Sequence, residues 1–179
     1  EIGLVGPARV IYGVYGFFCH QLPDHSYFLY SAGQEVAPTA ASLQAGGMPA
    51  GLSLFQERRF LGNSEVGYKV AICQRDVAIY GSIFLAGISY GLLRGRIRGV
   101  NWKIFALLTL PMAVDGLTQM FGWRESTWLL RSITGATFGF GAVWFLYPFI
   151  QEAMDDVIFT EEQRWNADAA DGANPSSVS

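Results

Sequence analysis

Val77–Leu93, VAIYGSIFLAGISYGLL, and Ile133–Ile150, ITGATFGFGAVWFLYPFI, contain no charged side chain, and the reading of these two stretches decides the fold. A helix needs about 20 mostly apolar residues to cross roughly 30 Å of hydrocarbon, and both stretches come close. Two more approach the same length. Ile2–Cys19 is interrupted only by Arg9, which can snorkel toward the near interface. Ile104–Phe121 carries a single charge, Asp115, together with Pro111. The glycines and prolines inside these stretches are compatible with membrane helices, which tolerate them better than soluble helices do.

Composition supports the same reading. Hydrophobic residues are 51% of the 179-residue chain and charged residues only 15%, where soluble domains carry about 25% charge. A soluble all-α protein built from these four stretches would have no amphipathic helices left to cover them. The expected fold is therefore all-α, an integral membrane bundle of four transmembrane helices. Its spans lie at about 2–19, 77–93, 104–121 and 133–150, within a domain covering 1–150. Residues 31–66, rich in Gly, Ala, Pro and Ser, read as a long loop, with room for a short interfacial helix around Leu52–Phe60. Residues 151–179 form a polar, acidic tail whose last stretch, ADAADGANPSSVS, has nothing to pack and is expected to be mobile. The net charge of -3 comes largely from that tail, and no basic face for nucleic acid is visible.

Orientation follows from Arg94–Lys103, RGRIRGVNWK, which holds four basic residues and no acidic one. The positive-inside rule makes this loop cytoplasmic. Both termini then lie in the cytoplasm, and the expected location is the cell membrane, as a multi-pass protein. Basic residues on the outer side are as numerous, but most have an acidic neighbour such as Glu57, Asp76 or Glu125.

An up-and-down arrangement brings distant polar residues to one membrane face. Cys19-His20-Gln21 ends the first span and Cys73-Gln74-Arg75-Asp76 opens the second. Asp115 and Gln119, four apart, share one face of the third. Arg124 and Arg131 flank the short connection to the fourth. Ionisable groups within spans are expensive and mark either function or a partner. Asp115 fits a salt bridge to Arg75, Arg124 or Arg131, and it equally fits a proton-carrying or metal-binding carboxylate. Cys19 and Cys73 admit three readings: a disulfide, separate thiols, or metal ligands acting with His20, His25 or Asp115. Mixed Cys, His and carboxylate donors suit a zinc or iron ion. Arg75, Asp76, Gln119, Arg124 and Arg131 form the structural polar cluster around them. Gly135-Ala-Thr-Phe-Gly139 offers a small-residue face that lets another helix approach closely. No phosphate loop, dinucleotide-binding glycine pattern or serine-hydrolase elbow occurs.

The order of these motifs resembles a known family. Cys19-His20-Gln21-Leu22-Pro23-Asp24-His25-Ser26, Cys73-Gln74-Arg75-Asp76 followed by Ile79-Tyr80-Gly81, Pro111, Asp115-Gly116 with Gln119, Arg124-Glu125-Ser126, and Arg131 with Thr134-Gly135 are similar to an uncharacterised family of predicted membrane proteins, domain of unknown function 2085. The likeness runs from about Cys19 to Gly141, with His25 standing where the family pattern has arginine. It implies the membrane architecture and nominates residues, without naming a reaction.

With no complete catalytic arrangement visible, the chain is expected to have no catalytic activity of its own. It reads as an accessory subunit of a larger membrane complex, of the electron-transfer kind, with the lipid bilayer and other membrane protein subunits as partners. The alternative is a standalone membrane metal-binding protein or enzyme that uses the Cys/His/Asp cluster.

Overall fold

The computed structural model describes residues 5–30, 35–96 and 99–172. The start of the first expected span at Ile2, Arg98 of the basic loop and the end of the acidic tail lie outside them. Helices dominate. The order is α1 (Val5–Phe18), a 3-10 turn over Pro23–His25, β1 (Ser26–Leu29), α2 (Ala40–Ala45), α3 (Leu54–Arg59), β2 (Gly62–Asn63), β3 (Gly67–Cys73), α4 (Gln74–Leu93), α5 (Trp102–Met120) and α6 (Trp128–Gly172).

The all-α expectation misses a small antiparallel sheet in the order β1-β3-β2. Ser26 pairs with Cys73 and Phe28 with Lys69, while Gly62 pairs with Tyr68. Gly62 tolerates this approach because a Cβ there would collide with the Gly67 carbonyl, and its φ of 102° suits glycine. The long loop holds a helix where one was expected around Leu52–Phe60, α3, and also α2 and β2, which were not expected. Reciprocal side-chain caps, Thr39 with Ser42 and Ser53 with Gln56, start the two short helices. Phe28, Leu43, Met48 and Val66 close over one another as the core of this cap.

Packing between long helices joins α4 to α6 and α5 to α6. Glycines make the first seam close. A Cβ on Gly135 would lie 2.8 Å from the Arg75 carbonyl oxygen, and one on Gly139 would lie 2.7 Å from that of Ile79. The small-residue face thus serves the inside of the bundle, against α4. Further along, Tyr90 meets Trp144 edge-on at 5.3 Å, and Trp144 donates to Ser89 Oγ at 3.1 Å. Phe105 of α5 stacks on Phe145 of α6 at 4.8 Å. α1 instead meets the rest of the chain through the cap: Tyr12 Oη donates to the Lys69 carbonyl, and Arg58 Nη2 donates to the Gly16 carbonyl at 2.6 Å.

α4 and α6 are long and apolar enough to cross a membrane. Large apolar side chains on α4 such as Phe84, Leu85 and Leu92 are exposed, as are Leu107, Leu110 and Val114 on α5. α6 does not stop where its apolar run does. It continues through the acidic stretch to Gly172, 45 residues in all, about 67 Å at 1.5 Å per residue and so roughly twice the hydrocarbon thickness.

Candidate functional site

Cys19 follows α1 directly, its N–H still donating to the Tyr15 carbonyl at 2.9 Å. The chain then turns sharply through Gln21, a non-glycine residue at φ 51°, an uncommon conformation. The Gln21 side chain holds this turn in place. Its Nε2 donates to the carbonyls of Tyr12 and Ala71, each at 3.0 Å, and so ties the end of α1 to β3. The opposite wall comes from the junction of β3 and α4. Cys73 is the N-cap of α4, with extended backbone, and Asp76 stands in the first turn. N-cap and third helical positions face each other at a helix start, so Cys73 and Asp76 point to the same place. One ligand atom from each of Cys19, Cys73 and Asp76 lies within 4.8 Å of the other two.

Cys19 is buried, Cys73 is partly buried, and both are free cysteines. A hydrogen bond from the Cys73 thiol lowers the Cys19 pKa to about 7, and the same bond, with burial, pushes the Cys73 thiol up. Of the pair, Cys19 is the thiol that ionises more readily. Beside them Lys69, only 2% exposed, donates from Nζ to the carbonyls of Gln21 and Arg58, each at 2.8 Å. Burial lowers its pKa to about 8.

Asp115 is placed elsewhere. Its carboxylate, 2% exposed, accepts from Arg75 Nη2 at 2.5 Å, Gln119 Nε2 at 2.9 Å and Arg124 Nη2 at 3.0 Å. Saturated in this way, it stands outside the thiol group, and Asp76 supplies the carboxylate there. His20 is exposed and also outside that group. Arg131 sits apart from Asp115, its Nη1 directed at the Asp24 carbonyl and the Gln74 side-chain oxygen. The structural polar cluster is thus divided: Arg75, Gln119 and Arg124 surround Asp115, Asp76 joins the cysteines, and Arg131 meets Gln74. Lys69 and Gln21 were not foreseen as parts of the site. Their signal was weak, one lysine in an otherwise apolar strand and one glutamine after Cys-His.

Two cysteines and a carboxylate, drawn from the two ends of a turn-and-strand segment, are a donor set for a divalent ion of borderline softness. A model of predicted membrane proteins, the family termed DUF2085, matches residues 57–145. An uncharacterized protein of Methanocaldococcus jannaschii, MJ1492, is 30% identical over 146 residues, which cover 79% of this chain and 69% of the relative. This chain belongs to the DUF2085 family. An uncharacterized protein of Methanothermobacter thermautotrophicus is 32% identical over 75 residues, 42% of this chain and 68% of its own length. No solved structure matches. As a member of DUF2085 with two helices able to cross a membrane, the chain makes contact with a lipid bilayer.

Proposed function

We propose that this DUF2085 member is a four-span protein of the cell membrane that holds one zinc or iron(II) ion at its outward face through Cys19, Cys73 and Asp76. The spans are α1, α4, α5 and the first half of α6, with both termini in the cytoplasm. At 1.5 Å per residue the 19 residues of α5 extend about 28 Å, close to the hydrocarbon thickness, and its apolar side chains face outward along the whole length. The single observation that carries the metal reading is the approach of the three ligand atoms to within 4.8 Å of one another. Tetrahedral zinc sites with three protein ligands keep their fourth position for water. The exposed His20, next to Cys19, is the other available donor. The same pair of thiols would form a disulfide under oxidising conditions, so metal content and thiol titration are read together.

The test is elemental analysis of the full chain purified in mild detergent under reducing conditions. About one equivalent of zinc or iron is expected, and Cys73→Ser and Asp76→Asn should lose it while remaining folded. Absence of stoichiometric metal from the wild type would remove this reading.

A second reading, compatible with the first, makes the chain a non-catalytic subunit of a larger membrane assembly. The observation favouring it is the polar half of α6, where Met154, Ile158 and Trp165 fall on one helical face and stay exposed, Trp165 to 77%. Such a stripe on a projecting helix is suited to contact another subunit. Native electrophoresis after gentle extraction decides it: migration as a free monomer counts against a subunit role. No observation connects the chain to electron transfer.

A further inference from the structure

Arg131, in the first turn of α6, is 5% exposed. Its Nη1 meets only uncharged acceptors, the Asp24 carbonyl at 3.3 Å and Gln74 Oε1 at 3.4 Å, and its Nε is buried without any partner. Among the described residues no carboxylate pairs with it. Asp115 is taken by Arg75, Arg124 and Gln119, and the Asp24 carboxylate lies 3.3 Å from His25 Nε2. Arg75 shares the feature: one edge of its guanidinium grips Asp115, and its buried Nε has no acceptor. The two arginines lie along one seam. Gly135, four residues after Arg131 and so on the same helical face, packs on Arg75, whose Cγ would be 3.3 Å from a Cβ there. His25 completes the group. Burial lowers its pKa, and among its neighbours Asp24 opposes that shift while Arg131, Arg75 and His20 add to it.

The Asp24 and Asp115 carboxylates favour the Arg131 charge without touching it; a buried guanidinium that lacks a direct ion pair is costly, and a buried N–H without an acceptor is costly as well. Two such N–H groups, from two helices that meet along one seam, describe a receptor with its guest unspecified. Arginine forks match the oxygens of phosphate and carboxylate groups. We propose that Arg131 and Arg75, with His25, form an oxyanion-binding site for a phosphate group at the outward membrane face. The phosphate comes from an anionic phospholipid headgroup or from free solution; both present the same oxygens. The site is distinct from the thiol-carboxylate group and does not depend on a metal there.

The experiment is thermal unfolding of the full chain in neutral detergent, with chloride at matched ionic strength as reference. One arm titrates inorganic phosphate, the other adds phosphatidylglycerol to the micelles. The unfolding midpoint should rise by several degrees in at least one arm, and the responding arm identifies the source. Arg131→Gln, which removes a buried charge that lacks a direct ion pair, should fold and show no rise. Arg131→Lys keeps the charge but not the fork, and should need at least about tenfold more ligand for half the shift. No wild-type response in either arm would overturn the site, and so would an undiminished response in Arg131→Gln. If Arg131→Gln does not fold, an Arg131→Lys titration indistinguishable from wild type overturns it in its place.

Discussion

Asp115 and Arg131 stand at the same end of the bundle, each buried and each charged, yet their surroundings are opposite. Asp115 has three side chains donating to its carboxylate. Arg131 has two long contacts to uncharged oxygens and a buried N–H with none. A closed cluster is what a fold needs to tie helices together; an open one is what a ligand needs. Asp115→Asn is expected to have the largest effect of any single change here, because it leaves the partly buried Arg75 without its counter-charge. Breaking a buried pair in this way costs about 3–5 kcal/mol, read as a fall in unfolding free energy in detergent. Arg131→Gln in the absence of ligand should leave stability unchanged or raise it. Equal losses for both variants would abolish the distinction.

Lys69 offers an intermediate case, a buried cation satisfied by two carbonyls. Its pKa is lowered from 10.5 to about 8 by burial. Between those values the unfolded chain still holds a proton that the folded chain has released, so stability rises with pH through that window. At roughly 1.4 kcal/mol per pH unit the gain is up to about 3 kcal/mol. Comparing unfolding midpoints at pH 7.5 and 10 for the wild type and Lys69→Met isolates the effect, since only the wild type should gain it. A parallel rise in the variant would assign the trend to other groups.

How much of this was legible in the sequence depended on the kind of signal. The uncharged runs marked α4 and the first half of α6, because length and charge-free composition act without tertiary context. Gly67–Cys73 was not read as a strand because its alternation is inverted: Tyr68 is exposed and Lys69 is buried, reversing the expected apolar-in pattern. The lysine goes inside because the carbonyls of Gln21 and Arg58 await it there. The extension of α6 was hidden by a change of solvent and not of conformation, since Glu, Gln, Ala and Arg are good helix formers. At the site, Cys19 was expected near Cys73, and their ligand atoms lie within 4.8 Å of each other. The ligand role of Asp76 depends on helix α4 starting at Gln74 with Cys73 as its cap. Reading the apolar run from Val77 left Asp76 outside the helix and without a face.

Gly139 tests whether both clusters rest on the same seam. A side chain there would press into α4 against the Ile79 carbonyl and Ser82, and backbone cannot yield as a flexible side chain can. Gly139→Leu should cost about 1–3 kcal/mol, as overpacking does. It should also weaken the phosphate response, because Gly135, one turn earlier on the same helix, packs on Arg75 along the same seam. A large loss of stability with the response intact would show that the two arginines are placed by the cap instead.

The smallest expected effect sharpens the meaning of a closed cluster. Arg124 donates to Asp115 at 3.0 Å, but its side chain is 56% exposed. An ion pair with one partner in water contributes about 0–1 kcal/mol, whereas Arg75 at the other oxygen is far less exposed. Arg124→Gln should therefore lower stability by less than about 1 kcal/mol, a loss that shrinks further in high salt as screening grows. The measurement is the unfolding midpoint at low and high sodium chloride for the wild type and the variant. Should Arg124→Gln approach Asp115→Asn in cost, the carboxylate depends on its outer partner, and the cluster is closed only while that exposed arginine stays in place.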